Sequence, residues 1–229
     1  MTGAVSLALT ADESASRRVA DALFPEAEHR FLTRDELRPP APFAGPLFEL
    51  LAAFAGAPIT ADPRAEDSVA SSRDIADRGD PGEDARSGRV VSLVVPVVWR
   101  DAAAGGSSPP VTLPPGALLA VADHVNLGLR GPLTGLWPDL VPRSFPPLTG
   151  IYQPALVRSR GGPRVYSSGV VVAGVTDAGR LTPFEAKAVR EAGVIAVSDS
   201  LVPCAIVAAY YGLTLAACGV PRTDDNDEE

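Results

Sequence analysis

Short apolar runs alternate with segments of helical spacing in the first quarter of the chain. The run Ala4–Leu9 predicts a β-strand, and Thr10 followed three residues later by Glu13 forms a capping box that predicts a helix ending near Phe24. Residues 41–56 are rich in Ala, Leu and Phe at helical spacing, which predicts a second helix from Pro46 to Phe54. The chain therefore opens as a strand followed by helices.

The pattern of β-branched runs separated by capped helices continues in the second half. Five such runs predict strands: Arg89–Val98, Ala117–Ala122, Val170–Val175, Val194–Val197 and Leu213–Ala217. Pro96 inside the first of them predicts a sheet edge or a bulge. Thr182, Pro183 and Glu185 together mark a helix start, with the helix running to about Ala192, and a further helix is predicted over Val202–Tyr211. This alternation predicts a layered α/β fold.

Two segments lack this pattern. Residues 62–88 hold eight acidic residues and four arginines with scarcely a large apolar side chain, so they cannot bury enough surface to offset the entropy of ordering them. Residues 221–229 are polar and acidic. We therefore expect one domain over 1–220, with a disordered insertion at 57–88 and a flexible acidic tail at 221–229.

Composition narrows the class of partner. The net charge is −8, which offers no basic field to attract a nucleic-acid backbone or an anionic membrane. The N-terminus lacks the positive region and apolar core of a signal peptide, so we expect a cytoplasmic protein. Cys204 and Cys218 sit in apolar surroundings without a metal-ligand spacing, which indicates two buried, reduced thiols and no metal site.

Several motifs stand in one order over residues 90–220: Ala103-Ala104-Gly105-Gly106, Ala122-Asp123-His124-Val125-Asn126-Leu127, Phe145-Pro146 with Tyr152, Thr182-Pro183-Phe184-Glu185-Ala186, and Ala192 to Pro203 with Ile206-Val207-Ala208 and Gly212-Leu213. This series resembles the trimeric purine nucleoside phosphorylases. The resemblance implies one domain with a mixed β-sheet flanked by helices in three layers. It also implies a homotrimer that cleaves purine ribonucleosides with phosphate to give free base and ribose 1-phosphate, without a cofactor.

The resemblance assigns roles to ten positions. Its phosphate-binding residues are Ala103, Ala104, Gly105 and Ser200; its nucleoside-binding residues are Asp199, Phe145 and Tyr152; and Asp123, His124 and Asn126 shape the site. Small residues let backbone N–H groups approach an anion closely, and a hydroxyl before a helix joins that helix's N–H groups in holding one. Asp199 stands where the family has a methionine that packs against ribose. A carboxylate there suits sugar hydroxyls but repels phosphate.

Other positions depart from the family pattern. The first strand is followed by Thr10 to Glu13 in place of a Gly-Ser-Gly phosphate loop, and residues 57–88 contain no histidine for the Arg-x-His phosphate motif. The base-binding glutamate falls at Leu181, and only Thr223 to Asn226 are available for the base-recognising asparagine. Three interpretations remain open: an active phosphorylase or nucleosidase, a catalytically impaired homologue that serves as an oligomerisation or binding module, and an unrelated α/β structural protein.

Overall fold

A computed structural model describes the chain over 5–9, 13–33, 36, 46–55, 89–99, 116–127, 131–133, 146–158, 164–194 and 196–222. The strands are β1 (Val5–Leu9), β2 (Glu28–Leu32), β3 (Val90–Trp99), β4 (Leu118–Asn126), β5 (Val165–Gly174), β6 (Ala196–Ser198) and β7 (Thr214–Arg222). The helices are α1 (Glu13–Leu23), α2 (Pro46–Ala55), α3 (Pro183–Glu191) and α4 (Leu201–Tyr210), with a 3-10 helix at Pro154–Leu156. The four helices predicted from the sequence are confirmed. The predicted insertion at 57–88 lies outside the described residues.

The seven strands form one mixed sheet. Their order is β2-β1-β3-β6-β5-β4-β7, and β3 also pairs with β7, so β3, β6, β5, β4 and β7 close into a five-stranded ring. β1, β2, β3 and β7 run in one direction, and β4, β5 and β6 run in the other. The mixed α/β fold is thus confirmed, with β1 and β2 as an extension of the ring.

Helices cover both faces of this sheet. Alternate residues of β5, Val172 and Ala173, belong to different core clusters, as the period of a strand requires. The cluster containing Val172 includes Leu201 and Ala205 of α4, whereas the cluster containing Ala173 includes Val189 of α3. The sheet therefore lies between α3 and α4, which makes three layers.

Pro96 lies inside β3, in a strand that has neighbours on both sides. β1 pairs with β3 at Val91–Val94 and β6 pairs at Val98–Trp99, so Pro96 falls in the gap between these two partners. A proline has no N–H to donate, and the gap removes the need for one. The sheet edge predicted from Pro96 exists only over the residues of β3 between its pairing with β1, which ends at Val94, and its pairing with β6, which begins at Val98.

Several strand boundaries differ from the sequence prediction. β2 was not anticipated, because a five-residue strand with alternating exposed and half-buried side chains carries little hydrophobic signal. β7 extends to Arg222, so Pro221 and Arg222 pair with Val97 and Val98 and do not belong to the tail. This parallel pairing with β3 adds ladder bonds that the polar composition of the segment does not reveal.

Candidate functional site

Two predicted site segments, the end of β4 and the residues before α4, lie at one edge of the sheet. β4, β5 and β6 are parallel neighbours, and Asn126, Gly174 and Ser198 lie side by side at their carboxyl ends. In α/β barrels as in open sheets, ligands collect at the carboxyl ends of parallel strands. We call this edge, from His124 of β4 to Ser200 before α4, the strand-end region.

An irregularity in β4 sets which side chains face α4 there. The register between β4 and β5 shifts between Leu119 and Val121 and again between Val121 and Asp123. Opposite the shift, Gly169 has a φ of +76°, and a Cβ at that position would lie 2.8 Å from the Cβ of Ala122. A side chain there would clash as well as strain the backbone, so glycine permits the close approach of the two strands.

The shift places His124 in the same row as Val172 and Ala196. Both neighbours belong to the core cluster under α4, and neighbouring residues in one row share a face of the sheet. His124 therefore faces the α4 side. Asn126, two residues further on, shares that face but ends the strand.

His124 is joined to Tyr152 by a short hydrogen bond. The Nδ1 of His124 lies 2.8 Å from the phenol oxygen of Tyr152, and the two rings meet edge to face with centroids 5.6 Å apart. Tyr152 is only 6% exposed. Its backbone is tied to β7, since Leu215 donates to Ile151 and accepts from Gln153, each at 2.7 Å. The sequence placed both residues in the site, and the structure brings them into contact.

Burial controls the protonation of this pair. It lowers the pKa of His124, an effect that the Asp123 carboxylate partly opposes, so the imidazole is neutral at neutral pH. Burial also raises the pKa of Tyr152 well above its ordinary value, with smaller contributions from Cys204 and Asp123. The thiol of Cys204 is buried as well, and its pKa rises to about 12. The expected buried, reduced state of Cys204 and Cys218 is confirmed.

A serine that the sequence analysis overlooked organises the start of α4. Ser198 is fully buried, and its Oγ accepts from the backbone N–H groups of Ser200 and Leu201 at 3.3 Å. It donates to the carbonyl oxygen of Pro96 at 3.2 Å. Ser198 thus takes the capping role that a residue directly before a helix usually fills. A serine two residues ahead of another serine at a helix start was the available signal.

Ser200, the predicted phosphate ligand, is 2% exposed and its Oγ lies 3.3 Å from the Oγ of Ser198. Either hydroxyl can be the donor in this contact. Ser200 is the N-cap residue of α4 but makes no side-chain capping bond. Asp199, between the two serines, is half-buried.

The remaining predicted site residues, Ala103, Ala104, Gly105 and Phe145, lie outside the described residues, and their roles stay predictions. The strand before the first three ends at Trp99, which pairs with Ala196 at the amino end of β6. β3 therefore leaves the sheet about two residues, or roughly 7 Å, from the level of Ser198. Asp123, His124 and Asn126 lie inside β4, not in a loop after it.

Within the same described ranges, a cleft of about 490 Å³ lies away from the strand-end region, between the turn after α1 and the 3-10 helix, and Phe24, Ser92 and Leu156 help to line it. No group of three His, Cys, Asp or Glu side chains there could hold a metal ion. None of the described helices is long and apolar enough to cross a membrane.

No protein-family model matches the chain, and no curated protein matches its sequence. Among solved structures the chain is similar to Schistosoma purine nucleoside phosphorylase in complex with hypoxanthine, at 18% identity over 61% of this chain and 52% of that one, with a TM-score of 0.46. The Schistosoma mansoni enzyme with BCX-34 (18% identity, 60% and 53% coverage, TM-score 0.45) and with inosine (16%, 61% and 50%, 0.44) are similar too. The chain spans about half the length of these enzymes.

Proposed function

We propose that the chain binds purine nucleosides or their bases at the strand-end region and that its activity is phosphorolysis to free base and ribose 1-phosphate. One observation carries the proposal. Motifs of the nucleoside phosphorylase type that lie some 70 residues apart in the sequence, around His124 and around Ser200, converge on the carboxyl ends of three adjacent parallel strands.

The polar groups of the region suit an uncharged, hydroxyl-rich ligand. His124 is held neutral, Asn126 supplies an amide at the strand end, and Asp199 offers a carboxylate that accepts from sugar hydroxyls. From strand and residue spacings, His124 and Ser198 are about 12 Å apart across β5.

The strand-end region is less suited to binding phosphate. A phosphate site concentrates several donors, each charge-assisted hydrogen bond contributing about 1.5–3 kcal/mol. The hydroxyl of Ser200 is in contact with that of Ser198, and Ser198 occupies two N–H groups at the start of α4. Asp199 adds a negative charge beside them. These contacts favour a second candidate function, a homologue that binds nucleoside but is catalytically impaired and serves as an oligomerisation or binding module.

Incubation with inosine, guanosine and adenosine, each with and without phosphate, separates the two candidates. Release of free base only with phosphate supports phosphorolysis, and release without phosphate indicates a nucleosidase. Saturable binding of inosine without base release supports the impaired homologue. Absence of both binding and release from all three nucleosides contradicts the proposal.

Titration with inorganic phosphate at low salt tests the anion site directly. We expect millimolar affinity or weaker, with little change in Ser200→Ala, because the serine hydroxyl is already engaged. Micromolar affinity abolished by Ser200→Ala would instead support a working phosphorylase. We also propose a homotrimer, which sedimentation equilibrium tests.

A further inference from the structure

We propose that Tyr152 fixes His124 as the neutral Nε2–H tautomer, so that the strand-end region presents one oriented imidazole N–H donor to an acceptor atom of an uncharged ligand. The sequence assigned His124 only to shaping the site. As to its ligand, the inference rests on the proposed function. It names His124 as a direct contact and Tyr152 as the residue that positions it.

The direction of the hydrogen bond follows from the need to satisfy a buried donor. Tyr152 keeps its proton, and among the described residues its phenol oxygen makes no hydrogen bond other than the one with His124. If Nδ1–H donated to the phenol oxygen, the buried phenol O–H would be left without an acceptor, which proteins rarely allow. The phenol therefore donates to Nδ1. The remaining proton of the neutral ring must then lie on Nε2.

Among the described residues, the outer nitrogen of His124, Nε2, has no hydrogen-bond partner, and it is not a buried atom left without one. Since the ring is half-buried and Tyr152 holds its inner nitrogen, Nε2 is the nitrogen left for a ligand. An imidazole held in this way loses little conformational entropy when it donates to a ligand.

The surrounding charges select the class of ligand. Asp123 on β4 lies beside His124 and accepts from its backbone N–H at 2.8 Å, and Asp199 lies on β6's side of the region. Tyr152 faces His124 from β7's side and Cys204 does so from α4, and both are protonated. An anionic group would meet two carboxylates. A carbonyl oxygen, ring nitrogen or sugar oxygen of a neutral nucleoside would not.

The protein has two histidines, His29 and His124, so ¹⁵N-histidine labelling of the full chain resolves both rings. Two-bond ¹H–¹⁵N spectra at pH 7.5 should show His124 as the neutral Nε2–H form. Inosine at saturation should shift Nε2 of His124 and leave His29 unchanged. Tyr152→Phe, which keeps the packed ring, should mix the tautomers and weaken inosine binding by about tenfold. Tyr211→Phe, a half-buried control tyrosine, should change neither.

Substitution of the histidine gives an independent readout. Glutamine places an N–H donor near the position of Nε2, so His124→Gln should retain more affinity for inosine than His124→Leu. A neutral Nδ1–H ring or a cationic ring at pH 7.5 would overturn the assignment. Inosine binding that leaves the Nε2 signal unmoved would overturn the ligand contact alone. Failure of inosine to bind would overturn that contact together with the proposed function. The tautomer measurement needs no ligand, so it would still test the role of Tyr152.

Discussion

His124 and His29 form their hydrogen bonds in opposite directions, the first toward the protein interior and the second toward the surface. His124 has its inner nitrogen bonded to a buried phenol, and its outer nitrogen has no hydrogen-bond partner among the described residues. His29 of β2 has Nε2 3.0 Å from the carboxylate of Asp21, which is 60% exposed, while its Nδ1 is buried without a partner. Because the inner nitrogen of His124 is bonded to Tyr152, this ring can donate a hydrogen bond outward through Nε2. The outward nitrogen of His29 is already bonded to Asp21, so that ring has no outward hydrogen bond left to make. On the proposal above, the comparison separates a ligand-facing histidine from a structural one.

The elements around each ring reinforce the difference. Around His29, α1 is clamped to β2 by local contacts, including Arg17 over the ring of Phe31 at 4.4 Å. In the strand-end region, Ser198 and Tyr152 instead connect strands and helices far apart in sequence. The charged side chains of α1 and β2 hold these two neighbouring elements together. The contacts of the strand-end region instead position residues at the surface of the sheet's edge.

The largest expected effect is on the core that supports the strand-end region. Leu201 at the start of α4 is fully buried, so Leu201→Ala should lower the free energy of unfolding by about 2–5 kcal/mol. Leu156, half exposed, is the matched control, and Leu156→Ala should cost under about 1 kcal/mol. Urea unfolding measures both. Equal losses would mean that α4 does not anchor the region.

The second prediction concerns the close approach of β4 and β5. Gly169→Ala adds a Cβ that meets Ala122 and occupies a left-handed conformation, so we expect a loss of about 2–4 kcal/mol. Gly116 has a similar φ of +73° with open space around it, so Gly116→Ala should lose only about 1 kcal/mol. Thermal and urea unfolding compare them. A loss at Gly169 no greater than at Gly116 would rule out the clash.

The third prediction tests the cap beneath the site. Ser198→Ala leaves two N–H groups and the Pro96 carbonyl without their partner, and should cost about 1–3 kcal/mol. Ser200→Ala removes one contact and should cost about 1 kcal/mol or less. The reverse order in urea unfolding would show that Ser200 is the working cap.

The fourth prediction is a pH dependence that belongs to His124. Its pKa in the folded protein is lowered, so below about pH 6.5 the unfolded chain takes up a proton before the folded one. His124 therefore makes stability fall as the pH drops below 6.5 and contributes no slope above it. Urea unfolding at pH 7.5 and 5.5 should show a smaller loss in His124→Gln than in the wild type. An unchanged loss would place the acid sensitivity elsewhere.

The smallest effect is expected at the outer contact of His29. Asp21 is largely exposed, so Asp21→Asn should change the free energy of unfolding by less than about 1 kcal/mol. In the inosine experiment this variant should behave as the wild type. Weakened inosine binding would contradict the division between the two histidines.

Local signals account for the part of the fold that the sequence predicted well. The capping box of α3 forms as expected, with Glu185 donating its N–H to Thr182 Oγ1 at 3.3 Å and Thr182 donating its N–H to Glu185 at 2.8 Å. These residues are three apart, so their contact needs no other element. The candidate site residues of β4 and of the segment before α4 were also proposed from the sequence, but as separate motifs.

Two features were beyond local reasoning. The pairing of β3 with β1, β6 and β7 explains how Pro96 is tolerated in the sheet, and it depends on where each partner begins. The choice of Ser198 over Ser200 as the cap depends on the carbonyl of Pro96, about a hundred residues earlier in the chain. Neither the strand pairing nor the hydrogen bond can be read from the spacing of residues along the sequence.

The sequence by itself determined the alternation of strands and helices, because apolar periodicity and capping act over a few residues. It also determined the negative charge and the residue types available to a site. The tertiary structure decided the register of β4, the facing of His124 and its contact with Tyr152. Such contacts join residues far apart in the chain, and only the packing of the closed sheet brings them within hydrogen-bonding distance.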